Sequence, residues 1–120
     1  MPGRFPLYTD ADIHGPLVEA LVREGWNVLR AIDRFPEGTE DDVRFDEAVR
    51  LGRVLVANDS DMKALAERRL GEGRRFPRPV VVAAQAIPSM TVAGIVQRFE
   101  DLAPLAHPFG VYPIVYIKPY

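Results

Sequence analysis

Two apolar runs in this 120-residue chain end in the same acidic pattern, in which one residue separates two aspartates. The aspartates are Asp10, Asp12, Asp59 and Asp61. The first pair follows the run at 5–9 and the second follows the run at 53–58, and each precedes a segment whose apolar residues have helical spacing. A strand that ends in acids and leads into a helix is typical of α/β folds, in which the carboxyl ends of parallel strands meet at one edge of the sheet.

The same alternation of strand and helix continues along the chain. We predict strands at 5–9, 26–31, 53–57, 80–84 and 111–118, and helices at 15–24, 40–51, 62–70 and 90–102. Gly25 and Gly52 follow the first two helices, where glycine commonly ends a helix. Thr39 and Ser89 are the predicted N-terminal caps of the second and fourth helices, and Pro113 places the last strand at a sheet edge. This order predicts a three-layer α/β/α sandwich with a mostly parallel sheet and right-handed crossovers.

Length and composition narrow the class of protein. We expect one domain over residues 1–120, because 48% apolar and 27% charged residues are ordinary values for a globular chain of this size. The absence of cysteine excludes disulfides and thiolate chemistry, and His14 and His107 lack the paired spacing of metal ligands. No apolar run approaches the roughly 20 residues that span a bilayer, and residues 1–5 do not resemble a signal peptide. We therefore expect a cytoplasmic protein without a membrane partner.

The aspartates have both a structural and a functional explanation. Asp12 and Asp61 are favoured residues for capping the helices that follow them. Asp10 and Asp59 close apolar strands, where a functional role is the stronger explanation. Asp41 and Asp42 lie in the first turn of a predicted helix, where negative charge suits the helix dipole. Asp46 and Glu47, one turn further on, are expected at the surface.

Taken together, these acids predict a metal site. Carboxylates at one sheet edge repel one another unless a cation lies between them. Oxygen ligands favour Mg²⁺ or Mn²⁺, and such an ion activates water for phosphodiester hydrolysis without a side-chain nucleophile. We expect Asp10→Asn to abolish activity and to leave the fold intact or more stable, because it relieves that repulsion.

One dense basic cluster follows the second acidic pair. It consists of Arg68, Arg69, Arg74, Arg75 and Arg78. The net charge of −2 does not by itself indicate nucleic-acid binding. The cluster is therefore either a solvated helix end or a patch that binds the phosphates of a nucleic acid.

These motifs resemble the PIN-like nuclease superfamily, and in particular its compact bacterial members that accompany a small antitoxin-like protein. The resemblance extends over about residues 5–104 and rests on the segments at 7–12, 17–28, 40–48 and 52–62. The last segment, Gly-Arg-Val-Leu-Val-Ala-Asn-Asp-Ser-Asp-Met, is similar to the family pattern Arg-Val-Leu-Val-Thr-x-Asp-x-Asp-Phe. The chain departs from the family pattern at Ala11, Asp12, Ala57 and Met62.

The resemblance implies a metal-dependent endoribonuclease, the toxin-like member of a toxin–antitoxin pair. The implied catalytic residues are Asp10, Asp42, Asp59 and Asp61. The implied ligands of Mg²⁺ or Mn²⁺ are Asp10, Asp41, Asp59 and Asp61. The candidate contacts to the RNA backbone are Arg68, Arg69, Arg74 and Arg75.

Two other classes of protein stay open. A catalytically silent PIN-like module would bind a partner protein, or a second copy of the chain in a homodimer, through the aromatic last strand. A phosphoacceptor receiver domain would use Asp10, Asp12 and Asp59, but its expected lysine would have to be Lys118, near the chain end, and Asp61 would have no role. A haloacid-dehalogenase-type phosphatase fits less well, because it needs further lysine and acidic motifs.

Overall fold

The computed structural model describes residues 5–10, 13, 15–34, 39–58, 60–74, 80–82, 90–102 and 114–117. The strands are β1 (Leu7–Thr9), β2 (Val28–Arg30), β3 (Val54–Ala57), β4 (Val80–Val82) and β5 (Ile114–Tyr116). The helices are α1 (Gly15–Arg23), α2 (Asp41–Arg50), α3 (Ser60–Gly71) and α4 (Val92–Leu102), and a 3₁₀ turn covers Ala31–Asp33. The predicted alternation of strand and helix is confirmed.

Within the described residues, the strands form one five-stranded sheet in the order β2-β1-β3-β4-β5, and every pairing there is parallel. This is the doubly wound order of flavodoxin-like folds, in which the strand order reverses between β1 and β3. The predicted α/β/α sandwich with a parallel sheet is confirmed, and β5 lies at a sheet edge as expected from Pro113.

Each face of the sheet carries its own apolar core. On one face α1 and α4 enclose an aromatic group, with ring centroids 4.9 Å apart for Phe5 and Trp26 and 5.7 Å apart for Trp26 and Phe99. The indole N–H of Trp26 donates to Oε1 of Glu100 at 2.7 Å. On the other face α2 and α3 pack Phe45, Met62 and neighbouring residues against the sheet. The face with α2 and α3 is the one that positions the acids described below.

The helix starts differ from two sequence predictions. The cap position of α2 is Glu40, whose side chain makes no capping hydrogen bond. Thr39 lies one residue before that position, so its prediction as the cap is wrong. In α4 the cap is Thr91, whose Oγ1 accepts from the backbone N–H of Gly94 at 3.0 Å. Ser89, the predicted cap, lies outside the described residues.

Gly52 ends α2 as predicted. Its φ of 65° is in the left-handed region, and the next residue, Arg53, donates its backbone N–H to the carbonyl of Ala48 at 3.0 Å. This closure satisfies a carbonyl at the helix end that would otherwise have no partner. Gly25 ends α1 in the same way, with a φ of 93°.

Gly52→Ala should lower the free energy of unfolding by about 1–2 kcal/mol, because an alanine is disfavoured at positive φ. A Cβ at Gly52 would meet no atom within 4 Å, so backbone conformation alone sets this cost. Gly71→Ala is the matched control, because that site is equally open and does not require positive φ. Urea unfolding of both variants measures the effect, and an equal change in both would contradict the explanation.

No helix within these described ranges has the length and apolarity needed to cross a membrane.

Candidate functional site

Asp10 lies at the point where the strand order reverses. It directly follows β1, and its backbone N–H donates to the carbonyl of Val56 in β3 at 2.9 Å. The residue is 3% exposed, and its carboxylate is fully buried. In doubly wound sheets ligands bind in the crevice at this reversal, outside the carboxyl ends of the strands. The structure therefore places a buried acid at the position that the fold favours for a ligand.

Arg44 of α2 links Asp10 to a second predicted site residue. Its Nε donates to Oδ1 of Asp10 at 2.6 Å, its Nη2 donates to Oδ1 of Asp41, and its Nη1 donates to the backbone carbonyl of Thr39. The side chain of Arg44 is only 11% exposed. From the sequence, a cation was expected between these carboxylates to offset their repulsion. Between Asp10 and Asp41, that cation is the guanidinium of Arg44.

A second buried contact joins the same two elements. The Tyr8 hydroxyl donates to Oε1 of Glu47 at 2.6 Å, and Arg34 donates to Oε2 of Glu47 from Nε and from Nη2, each at 3.3 Å. Tyr8 and Asp10 lie on one face of β1 because side chains alternate along a strand. Arg44 and Glu47 lie on one face of α2 because they are three residues apart. Strand and helix are thus joined by two polar contacts side by side.

Glu47 is 5% exposed, so its prediction as a surface residue is wrong. Burial alone would raise the pKa of its carboxyl, but the hydrogen bonds from Tyr8 and Arg34 outweigh burial and hold that pKa below its usual value. Burial, together with the bond to Glu47, raises the pKa of the Tyr8 hydroxyl well above its usual value. Glu47 is therefore an anion and Tyr8 a neutral donor at physiological pH.

The remaining acids of α2 contact α3 instead of the sheet. Nη1 of Arg69 donates to Oδ1 of Asp46 at 2.5 Å, and Oδ1 of Asp42 lies 3.8 Å from Nη2 of Arg69 and 3.7 Å from Nη2 of Arg68. The Arg69 guanidinium also lies 4.6 Å from the ring centroid of Phe45. Asp42 thus belongs to an ion-pair group between α2 and α3, and Asp41 is the first-turn acid of α2 that shares a partner with Asp10.

The predicted RNA-binding arginines separate into two kinds. The side chain of Arg69 is 8% exposed and holds α3 against α2, which is a structural role. Arg68 and Arg74 keep 64% and 57% of their side chains exposed. Arg75 lies outside the described residues. Arg68 and Arg74 are therefore the described members of the cluster that are accessible to a phosphate backbone.

Of the other two predicted metal ligands, one is exposed and one lies outside the described residues. Asp61 is exposed in the first turn of α3, and Asp59 lies outside the described part of the chain. Within that described part, no group of three or more acidic or histidine side chains is arranged to hold a metal ion. The structure thus brings together Asp10 and Asp41 through Arg44, and the participation of Asp59 and Asp61 stays a prediction.

Arg44 and Glu47 are not among the residues that the sequence predicts for the site, although both carry a local signal. Arg44 follows Asp41 by three residues, the spacing of an ion pair on one helix face. Glu47 follows Arg44 by three residues and precedes Ala48, which is buried against the sheet. A charged pair on the same face as buried apolar residues indicates a polar network beneath the helix.

Comparison of the chain with family models, curated proteins and solved structures returned no significant match. The fold therefore defines the class, a doubly wound α/β protein with a buried acid at the reversal of strand order. The resemblance to PIN-like nucleases stays a prediction from the sequence.

Proposed function

We propose that this chain is a metal-dependent ribonuclease. Its centre is the acidic edge, which is formed by Asp10, at the reversal of strand order between β1 and β3, and Asp41, at the start of α2. The observation that carries the proposal is the buried carboxylate of Asp10 at the reversal of strand order. Burying an ionised carboxylate costs free energy, and such groups concentrate at functional sites. The crevice at this reversal is where this class of fold binds its ligands.

The donor chemistry at this edge fits Mg²⁺ or Mn²⁺. Asp10 and Asp41 offer hard oxygen ligands from two adjacent elements, and the sequence positions of Asp59 and Asp61 would add two more. When bound, such an ion lowers the pKa of a coordinated water and offsets charge on a phosphate. The protein's own contribution would be to hold Asp10 through the backbone bond to Val56, and Asp61, which is exposed in the first turn of α3, would orient water.

Hydrolysis assays on a fluorogenic single-stranded RNA test the proposal, with Mn²⁺, Mg²⁺ or EDTA. Wild-type protein should cleave only with a divalent ion, and Asp59→Asn should be inactive under all three conditions. Cleavage in EDTA, or full activity of pure Asp59→Asn, would contradict the proposal. A lack of cleavage under every condition would favour the catalytically silent, partner-binding alternative.

RNA binding is assigned to Arg68 and Arg74. The double variant Arg68→Gln/Arg74→Gln should bind RNA about tenfold more weakly, and the slope of log affinity against log salt should become shallower by about 1.4, because two phosphate contacts are lost. Arg23→Gln, an exposed arginine at the end of α1, is the matched control. Fluorescence anisotropy from 50 to 300 mM KCl measures both quantities, and an equal loss in the control would contradict the assignment.

The partners follow from the same proposal. A small antitoxin-like protein would bind by adding a strand to the sheet edge formed by β5. A homodimer through this edge is the alternative arrangement, and a cytoplasmic location suits either. Size-exclusion chromatography with light scattering distinguishes a monomer from a homodimer.

One observation favours a second candidate, the phosphoacceptor receiver domain. The strand order 2-1-3-4-5 is also the order of that class, with acids after β1 and β3. Incubation with acetyl phosphate and intact-mass analysis tests it. The ribonuclease proposal predicts no adduct, and a stable phosphorylated product that is lost in Asp59→Asn would replace it with the receiver function.

A further inference from the structure

The cation between Asp10 and Asp41 belongs to the chain itself. Arg44 uses Nε, Nη1 and Nη2 in three separate hydrogen bonds, to Asp10, to the carbonyl of Thr39 and to Asp41. The two carboxylates come from different elements, so the guanidinium joins the end of β1 to the start of α2. Three acceptors therefore fix the position of the Arg44 guanidinium.

A divalent ion that binds Asp10 and Asp41 would use the carboxylate oxygens that Arg44 now occupies. Two cations at one pair of carboxylates repel each other, and Oδ1 of either acid cannot keep its bond to Arg44 while it coordinates an ion. An ion that takes these oxygens therefore displaces the guanidinium. The free energy needed to break the three hydrogen bonds of Arg44 reduces the net free energy of ion binding and so weakens the affinity for the ion.

The helix that carries Arg44 has a separate anchor. Glu47 holds α2 to β1 through Tyr8 and is paired with Arg34, and neither contact involves Arg44. Phe45 and Ala48 add apolar contact with the same sheet face. The Arg44 side chain can thus leave while α2 keeps its place.

We propose that Arg44 is a built-in counter-cation that neutralises the acidic edge in the metal-free protein and competes with the divalent ion for it. This inference rests on the proposed function. The state of the site then depends on metal concentration. At low metal concentration Arg44 occupies Asp10 and Asp41, and metal binding releases the guanidinium from both.

Calorimetric titration with Mn²⁺ tests this competition. Arg44→Gln should bind Mn²⁺ about tenfold more tightly than wild type, a coupling of ordinary size between two competing ligands. Arg53→Gln is the matched control, because Arg53 is another arginine that bonds to β1. Its Nη1 donates to the backbone carbonyl of Leu7, at the end of the strand opposite Asp10. The control should bind Mn²⁺ with wild-type affinity.

Thermal unfolding provides a second readout. In EDTA, Arg44→Gln should melt at a lower temperature than wild type, because Asp10 loses its arginine while it stays buried. Addition of Mn²⁺ should then raise its melting temperature by more than it raises that of wild type. A purely structural role of Arg44 would produce the first change without the second.

The outcomes separate this inference from the proposed function. Equal or weaker Mn²⁺ binding by Arg44→Gln, with binding by wild type that depends on Asp10, would overturn the competition and leave the ribonuclease proposal intact. No Mn²⁺ binding by either protein would overturn both. If Arg44→Gln does not fold, Arg44→Lys replaces it, since lysine keeps the charge but cannot make the three directed bonds. Tighter binding by that variant supports the inference, and unchanged binding overturns it.

Discussion

Asp10→Asn is expected to abolish metal-dependent RNA cleavage and to lower the melting temperature. The asparagine has nearly the same shape, but it removes the negative charge at the reversal of strand order. We expect kcat/KM to fall by at least about 100-fold, the order of loss seen when one preorganised electrostatic group is removed. Steady-state cleavage of a fluorogenic RNA with Mn²⁺ measures this fall.

The effect of this variant on stability follows from Arg44. The sequence alone predicts that Asp10→Asn leaves the fold intact or more stable, because like charges are separated. With the Asp10 carboxylate 2.6 Å from Nε of Arg44, the sign should reverse. Loss of a buried charge-assisted bond should cost about 2 kcal/mol. Asp101→Asn, an exposed acid on α4, is the control and should change neither activity nor stability. A more stable Asp10→Asn would contradict the role given to Arg44.

Glu47→Gln is expected to lower the free energy of unfolding by about 2–3 kcal/mol at pH 7, because a buried charged acceptor is lost. The pKa of Glu47 is lower in the folded protein than the value of 4.5 for the free group. The stabilisation is therefore present above pH 4.5 and is lost as pH falls through the folded pKa. Urea unfolding between pH 3 and 7 should give a flatter pH dependence for the variant than for wild type.

One further variant, Tyr8→Phe, connects this effect to Tyr8. In a double-mutant cycle, Tyr8→Phe and Glu47→Gln should show a coupling energy of about 1–2 kcal/mol, because Tyr8→Phe removes the hydrogen bond that Glu47→Gln weakens by removing the charge of its acceptor. Glu19→Gln, an exposed glutamate of α1, is the control and should leave both the stability at pH 7 and its pH dependence near wild type. Additive effects of Tyr8→Phe and Glu47→Gln would contradict the network.

The parts of the fold that depend on local pattern could be predicted from the sequence. The apolar runs identified the strands, and Gly25 and Gly52 marked helix ends because their left-handed backbone is a property of glycine itself. The cap of α2 was predicted one residue too early, at Thr39, because the backbone conformation that makes Glu40 the cap is not visible in the sequence.

The site required tertiary information. Sequence position placed Asp10 at the end of a strand, but it could not choose between Asp41 and Asp42, which differ only in the side of α2 that they face. That choice depends on Arg44, which approaches Asp10 only once α2 has packed on the sheet. Glu47 was predicted at the surface for the same reason. The buried Tyr8 hydroxyl that donates a hydrogen bond to Glu47 belongs to a distant part of the chain.

Thermal unfolding with and without millimolar Mn²⁺ measures whether the acidic edge of the native protein binds a divalent ion. A ligand that binds only the folded protein at 100 times its Kd adds about 2.7 kcal/mol to the free energy of unfolding. We expect Mn²⁺ to raise the melting temperature of wild type clearly and to leave that of Asp59→Asn and of Asp10→Asn unchanged. An unchanged wild-type melting temperature, or the same rise in all three proteins, would contradict binding at the acidic edge.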